Sequence, residues 1–148
     1  MSPTPPEGYR YYTPMTVRYG DMDTLGHVNN AKYLTYLEQA RVSYFRDLPL
    51  WNGSLDGAGC ILAKVVIDYR LPLTMDDGTV DIWTRISRLG NKSLELEQVI
   101  NCVRDGQVLT AIHSTSVAVT FNYVENASIV IPDEWRARIT DYEPALQS

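Results

Sequence analysis

The chain has 148 residues, of which 45% are hydrophobic, enough to form one domain with a sizeable core. Its formal net charge of −5 argues against a protein that binds chiefly by neutralising phosphates, so nucleic acid is not an expected partner. No apolar run approaches the roughly 18 residues that would cross a bilayer, and the N-terminal residues lack the order of a secretory signal, so we expect a cytoplasmic protein without a membrane partner.

The chain begins with a proline-rich stretch. Residues 1–12 are predicted to form a flexible tail, because prolines disfavour regular backbone hydrogen bonding there. The segment "PMTVRYG" at 14–20 then predicts a short strand. We expect a single domain over 13–140 and a C-terminal tail over 141–148.

A long helix is predicted next. In "NAKYLTYLEQARVSYFRDL", residues 30–48, apolar side chains recur at helical spacing. Asn29 or Asn30 can cap the first turn, because a side-chain amide oxygen accepts a hydrogen bond from a free helix-start N–H. Pro49 is expected to end the helix just after Leu48.

From residue 60 onwards the hydrophobic period changes from helical to two, which predicts strands. Short turn-like joints separate the last three strands, so these form an antiparallel meander. The predicted strands are "CILAKVVIDYRLPL", "TVDIWTRISRL", "SLELEQVINCV" and "QVLTAIHSTSVAVTF". With the N-terminal strand, they give an α+β fold in which a five-stranded antiparallel sheet wraps one long helix, and "PDEWRARI" can add a short second helix.

The strand predicted over 60–73 carries few charged residues and is expected to lie at an edge of the sheet. Pairing with the same strand of a second copy would remove that edge. We therefore expect a homodimer or a homotetramer.

The stretch "YGDMDTLGHVNN", residues 19–30, has three possible meanings. A calcium loop counted from Asp21 would need an oxygen ligand where Leu25 stands and a glutamate where Lys32 stands, so calcium binding is disfavoured. The stretch can simply cap the helix. It can also be catalytic, because free helix-start N–H groups and Gly26 would let a developing oxyanion approach the backbone beside a carboxylate. The residues alone leave the last two meanings open.

The pattern "VRYGDMDTLGHVNNAKYLTYLEQARVSYF", with "DYRLPL" and "ISRLGNKSLELEQVI", resembles the hotdog-fold acyl-CoA thioesterases of the 4-hydroxybenzoyl-CoA thioesterase type. The resemblance covers most of the chain, and its D-x-D-x-x-G-H-V-N-N-x-x-Y core is fairly specific. It implies a hotdog fold and the hydrolysis of an acyl-CoA thioester to a free acid and coenzyme A. Coenzyme A is then part of the substrate, and we expect no metal or other cofactor.

The same resemblance implies roles within the motif. Asp23 is the implied catalytic carboxylate, acting as a nucleophile or as a general base that activates water. The backbone N–H of Asn30 is implied to polarise the thioester carbonyl. Gly26, His27 and Asn29 are implied to line the site.

Other candidate residues have competing structural explanations. Arg88, Lys92 and Ser93 match a loop near which such enzymes bind coenzyme A, but they can equally form a solvated hairpin tip. Tyr33 could reach the acyl pocket, although packing of the helix explains a tyrosine there as well.

Asp21 is expected to be structural. A related hotdog branch places its catalytic carboxylate on the long helix, where Glu38 stands, but surface pairing of Glu38 with Arg41 is the preferred interpretation.

Two other functions stay open: a hydratase that pairs His27 with an aspartate, or a non-catalytic acyl-CoA-binding module.

Overall fold

The computed structural model describes residues 3–51 and 55–146. One long helix and a curled antiparallel sheet make up most of it. The elements in chain order are β1 (Tyr11–Thr16), α1 (Asn30–Asp47), β2 (Ala58–Tyr69), β3 (Thr79–Leu89), β4 (Ser93–Arg104), β5 (Gln107–Asn122), β6 (Ala127–Ser128) and α2 (Asp133–Tyr142).

The sheet has the strand order β1-β3-β4-β5-β2, and every pairing is antiparallel. The predicted α+β hotdog arrangement of five strands around one long helix is confirmed, and the two-residue β6 adds a further pairing to β5. The β4–β5 turn has positive φ at Asp105 and Gly106, as expected of a tight hairpin. The prediction that the strand around 60–73 lies at an edge is also confirmed, because β2 ends the strand order.

Helix α1 begins and ends where its capping residues predict. The Asn29 side-chain oxygen accepts a hydrogen bond from the Ala31 N–H at 2.9 Å, and Leu48 is the C-cap just before Pro49. One face of the helix is buried against the concave face of the sheet. Its buried members include Tyr33, Tyr36, Leu37, Ala40 and Tyr44.

A belt of polar side chains crosses the middle of the core. Thr84, Gln98 and Ser114 are register partners on β3, β4 and β5, and all three are buried. Gln98 donates hydrogen bonds to the Thr84 hydroxyl at 3.1 Å and to the Leu37 carbonyl of α1 at 3.0 Å. The belt separates an apolar cluster under the start of α1 from another under its end, and each half of the helix has its own pocket.

The predicted tails are too long. Strand β1 begins at Tyr11, and Tyr9 is buried against Trp83 on the convex face of the sheet, so part of the range 1–12 is structured. At the other end, α2 continues to Tyr142, and the buried Glu143 accepts a hydrogen bond from the Tyr44 hydroxyl at 2.7 Å. The outermost residues of both predicted tails, 1–2 and 147–148, lie outside the described residues.

Candidate active site

Asp23 is held by a tight loop between β1 and α1. A bridge between Met22 and Val28 closes the loop, and the Asp23 N–H donates to the His27 carbonyl at 2.7 Å. The Asp23 Oδ1 atom accepts hydrogen bonds from the N–H groups of Leu25, at 2.9 Å, and His27, at 3.1 Å. These contacts orient the carboxylate, and Oδ2 makes no hydrogen bond to the rest of the described chain.

Gly26 completes the turn that carries Asp23. Its φ of +79° lies in the left-handed region, where any residue with a Cβ atom is strained and glycine is not. A Cβ atom at this position would meet no neighbour within 4 Å, so the backbone conformation, rather than crowding, requires the glycine.

Asp21, by contrast, is buried beneath the loop, with 4% of its surface exposed. Its Oδ2 atom accepts hydrogen bonds from the Tyr36 hydroxyl, at 2.5 Å, and from the Arg18 N–H, at 3.1 Å. Burial raises the pKa of Asp21, but these hydrogen bonds and the Arg18 charge outweigh burial and hold the pKa below its usual value. Its contacts are structural, in agreement with the expected role.

The start of α1 is anchored on both sides. The Val28 N–H donates to the Leu73 carbonyl and the Asn29 N–H to the Asp21 carbonyl, each at 2.8 Å. Because the Asn29 side chain caps the helix, it is not among the residues that line the pocket beside Asp23. The Asn30 N–H makes no hydrogen bond within the described part of the chain. It is therefore a donor available to a ligand at the positive end of the helix dipole.

A pocket of about 170 Å³ lies between this helix start and the end of β2. It brings together four of the residues predicted from the sequence. These are Asp23, His27, Asn30 and Tyr33. On its other side, Asp23 borders a wider depression of about 650 Å³ that includes Gly26. Asp23 thus lies where two concave surfaces meet.

The contacts of two of these residues, His27 and Tyr33, are not those of a catalytic histidine–carboxylate pair. The His27 imidazole makes no hydrogen bond to Asp21 or Asp23 in the described chain. Tyr33 is buried, and its hydroxyl accepts a hydrogen bond from the Leu73 N–H at 3.0 Å. Burial raises the pKa of Tyr33 despite that hydrogen bond, so the phenol stays neutral and presents its ring to the pocket.

Tyr69, at the end of β2, is a site residue that the sequence analysis missed. Its hydroxyl donates to the Asn30 carbonyl at 3.3 Å, and its ring packs edge-on against Tyr33 with centroids 5.6 Å apart. Half of its surface is exposed. The signal was available in "DYRLPL", where an aromatic residue stands three positions before a proline at the end of an edge strand.

Arg88, Lys92 and Ser93 do not share the Asp23 pocket within one chain. Ser93 is level with Ile61 of β2, since both pair with Val119, whereas the pocket contains Tyr69. At about 3.3 Å per residue, Ile61 and Tyr69 are about 26 Å apart along β2. The hairpin that carries Arg88, Lys92 and Ser93 therefore lies at the opposite end of the sheet from Asp23.

The predicted surface pair between Glu38 and Arg41 is wrong. Arg41 is 9% exposed, and its Nη1 atom donates to Gln98 Oε1 at 3.4 Å, whereas Glu38 is exposed and forms no ion pair with it in the described chain. Position 41 points inwards because the polar belt of the sheet offers the guanidinium a partner.

The described residues contain no group of three or more His, Cys, Asp or Glu side chains placed to hold a metal ion. Neither of the described helices, α1 and α2, has the length and apolar character needed to span a membrane.

Comparison with known proteins assigns the family. A model of the thioesterase-like superfamily matches residues 17–139. The long-chain acyl-CoA thioesterase FadM of Escherichia coli (strain K12) is 32% identical over 98 residues, which are 66% of this chain and 74% of that protein. A thioesterase from Thermus thermophilus, solved with coenzyme A and Zn, is 31% identical, with a TM-score of 0.79 over 93% of this chain and 97% of that one.

A complex of variant 4-hydroxybenzoyl-CoA thioesterase with 4-hydroxybenzoyl-CoA is similar in fold alone. Its TM-score is 0.79 at 16% identity, over 87% of this chain and 97% of that chain. Family model, sequence relative and fold agree with the resemblance noted in the aspartate motif. The chain belongs to the thioesterase-like superfamily.

Proposed function

We propose that this protein is an acyl-CoA thioesterase whose reaction takes place beside Asp23. One observation carries the proposal: a carboxylate oriented by its own turn and the unpaired N–H of Asn30 border the same pocket. Hydrolysis of a thioester needs these two groups, one to supply or activate a nucleophile and one to hold the developing oxyanion.

Two routes use this arrangement. In one, Asp23 takes a proton from water, the resulting hydroxide attacks the thioester carbon, and the oxyanion accepts a hydrogen bond from the Asn30 N–H. The C–S bond then breaks, and the thiolate of coenzyme A takes up a proton. In the other, Asp23 Oδ2 attacks the same carbon, the thiolate leaves, and water hydrolyses the mixed anhydride. Both routes release one acid and one thiol.

Pairing of β2 between two copies would bring the separated parts of the site together. A symmetric antiparallel pairing about the midpoint of β2 places Ala58 of one copy opposite Tyr69 of the other. The hairpin with Arg88, Lys92 and Ser93 of one copy would then approach the Asp23 pocket of the other. We therefore propose a homodimer in which these residues contact the coenzyme A part of the substrate.

A panel of acyl-CoAs of short, medium, long and aromatic type tests the function through the release of free thiol. The wild type is expected to release thiol, and Asp23→Asn to lose activity by orders of magnitude while still binding substrate. Asparagine keeps a side-chain oxygen for the N–H groups of Leu25 and His27, so the turn is expected to survive. Asp105→Asn, in the exposed β4–β5 turn, is the matched control and should keep full activity.

Other outcomes would contradict the proposal. A loss of only a few-fold in Asp23→Asn would remove Asp23 from the centre of the mechanism. Conversion of an enoyl-CoA without thiol release would indicate a hydratase, and tight binding with neither reaction would indicate a binding module.

The expected absence of a cofactor and the cytoplasmic location stay predictions.

A further inference from the structure

A second pocket, of about 330 Å³, lies beside the C-terminal half of α1. It is separate from the pocket beside Asp23. Its walls are mainly apolar and come from α1, β2, β5, α2 and the segment after α1. The apolar walls include Val42, Trp51 and Trp135, and the charged lining residues are Glu38 and Arg41.

Arg41 is the unusual member of this lining. The residue as a whole is 9% exposed, yet its one hydrogen bond to the described residues is the 3.4 Å contact of Nη1 with Gln98 Oε1. A guanidinium has five N–H donors, and a buried charge is costly unless it is paired and hydrogen-bonded. The Gln98 amide cannot rotate to bring its oxygen closer to the guanidinium, because its nitrogen donates hydrogen bonds to the Leu37 carbonyl and the Thr84 hydroxyl.

Carboxylates do not supply the missing partner. Within the described residues, no carboxylate oxygen comes within 4.0 Å of the Arg41 guanidinium. Burial lowers the pKa of Arg41, and the charge of Glu38 opposes this. Glu38 itself is exposed.

We propose that this pocket binds a carboxylate carried on an apolar chain, with Arg41 taking the carboxylate and the apolar walls taking the chain. A planar guanidinium matches a carboxylate with paired, charge-assisted hydrogen bonds. The volume holds roughly 11 non-hydrogen atoms at roughly 30 Å³ each. An inorganic dianion would leave the apolar walls unused and would be repelled more strongly by Glu38.

The carboxylate can come from two sources. One is a free carboxylic acid, the product class of the proposed reaction. The other is a carboxylate at the far end of an acyl group whose thioester lies beside Asp23 of a second copy. Symmetric pairing of β2 would place Cys60, which lines this pocket, opposite Ile67, close to Tyr69 of the other copy's site. This second source rests on the proposed function and on the proposed dimer, whereas the first does not.

Tryptophan fluorescence measures binding directly, because Trp51 and Trp135 lie in the pocket wall while Trp83 is buried on the convex face of the sheet. Octanoate is expected to change the fluorescence saturably, and octan-1-ol, which lacks the charge, to bind about tenfold or more weakly. Arg41→Met should lose about tenfold or more in octanoate affinity. Arg41→Lys should lose less, because it keeps the charge without the planar fork.

Val42→Phe should also weaken octanoate binding, because it fills the pocket from the helix surface and leaves Arg41 in place. Leu34→Phe is the matched control, about two turns earlier on the same helix and outside the pocket, and should bind octanoate as the wild type does. Equal octanoate affinity in the wild type and in folded Arg41→Met, or equal affinity for octanoate and octan-1-ol, would overturn the proposal.

Hydrolysis separates the two sources. If the distal carboxylate of the substrate occupies the pocket, wild-type kcat/KM should be higher for suberoyl-CoA than for octanoyl-CoA. Arg41→Met should then abolish that preference by lowering kcat/KM for suberoyl-CoA more than for octanoyl-CoA. Octanoate binding without such a preference would assign the pocket to the free acid. If the wild type hydrolyses no thioester, the proposed function fails, while the octanoate titration still decides whether the pocket binds a carboxylate.

Discussion

The Tyr36 hydroxyl donates a 2.5 Å hydrogen bond to Asp21 Oδ2 beneath the loop that carries Asp23. This contact ties the loop to the second turn of α1. Tyr36→Phe should therefore lower the free energy of unfolding by about 1–3 kcal/mol, because a buried carboxylate loses a partner. Activity should fall far less than in Asp23→Asn. Tyr44→Phe, which removes an equally buried hydroxyl from Glu143, is the matched control: it should lose similar stability and keep wild-type activity.

The depressed pKa of Asp21 predicts how stability depends on pH. A carboxyl whose pKa is lower in the folded state stabilises the fold at pH values above its unfolded pKa, about 3.9. That contribution is lost as the pH falls through the folded pKa. The wild type should thus exceed Asp21→Asn in free energy of unfolding at neutral pH, and the difference should shrink in acid. Denaturant titrations between neutral and acidic pH measure it, and a difference that grew in acid would contradict the assignment.

Tyr69→Phe tests the residue at the end of β2. The substitution removes the 3.3 Å hydrogen bond to the Asn30 carbonyl and keeps the ring contact with Tyr33. Losing one hydrogen bond that positions the helix start should lower kcat/KM by about 2- to 10-fold, with little change in stability. Steady-state kinetics and thermal unfolding measure the two effects. Tyr12→Phe, at a tyrosine packed on the convex face of the sheet, is the control, and an equal loss of activity there would remove the special role of Tyr69.

Gly26→Ala tests whether the turn positions Asp23. Alanine fits the open space but not the φ of +79°, so about 1 kcal/mol of stability should be lost and catalysis should decrease. Gly106→Ala provides the matched control, since that glycine has a φ of +76° and equally open space in the β4–β5 hairpin. It should lose similar stability and keep full kcat. Equal kcat in the two variants would show that the turn does not set the position of the carboxylate.

Features of the fold that depend on local pattern were predictable from the sequence. The alternating residues of β3, β4 and β5 and the turns between them indicated the meander, and Asn29 and Pro49 marked the limits of α1. Asp23 and the helix start were found because they adjoin in the chain, so their proximity needs no knowledge of the tertiary structure.

Features that depend on distant contacts were not predictable in this way. Tyr9 is ordered because Trp83 lies on the convex face of the sheet, a contact that a proline-rich N-terminal composition does not reveal. Arg41 looked like a surface residue of α1, since the partner that draws it inwards, Gln98, is on strand β4, 57 residues further along the chain. The distance between Asp23 and Ser93 depends on strand register, which periodicity leaves undetermined.

Pairing of the exposed β2 edges is expected to link dimer formation to the binding of acyl-CoA. Val66 lies on this edge strand and is 47% exposed, so Val66→Arg should place a charge in the proposed pairing interface and produce a monomer. Because the proposed site combines Asp23 of one copy with Arg88, Lys92 and Ser93 of the other, the monomer should raise KM for acyl-CoA by about tenfold or more. Sedimentation velocity measures the assembly, and circular dichroism checks that the fold is kept. Val103→Arg, at a similarly exposed valine on β4 away from this edge, should remain dimeric and fully active. A Val66→Arg monomer with wild-type KM would show that one chain binds the whole substrate alone.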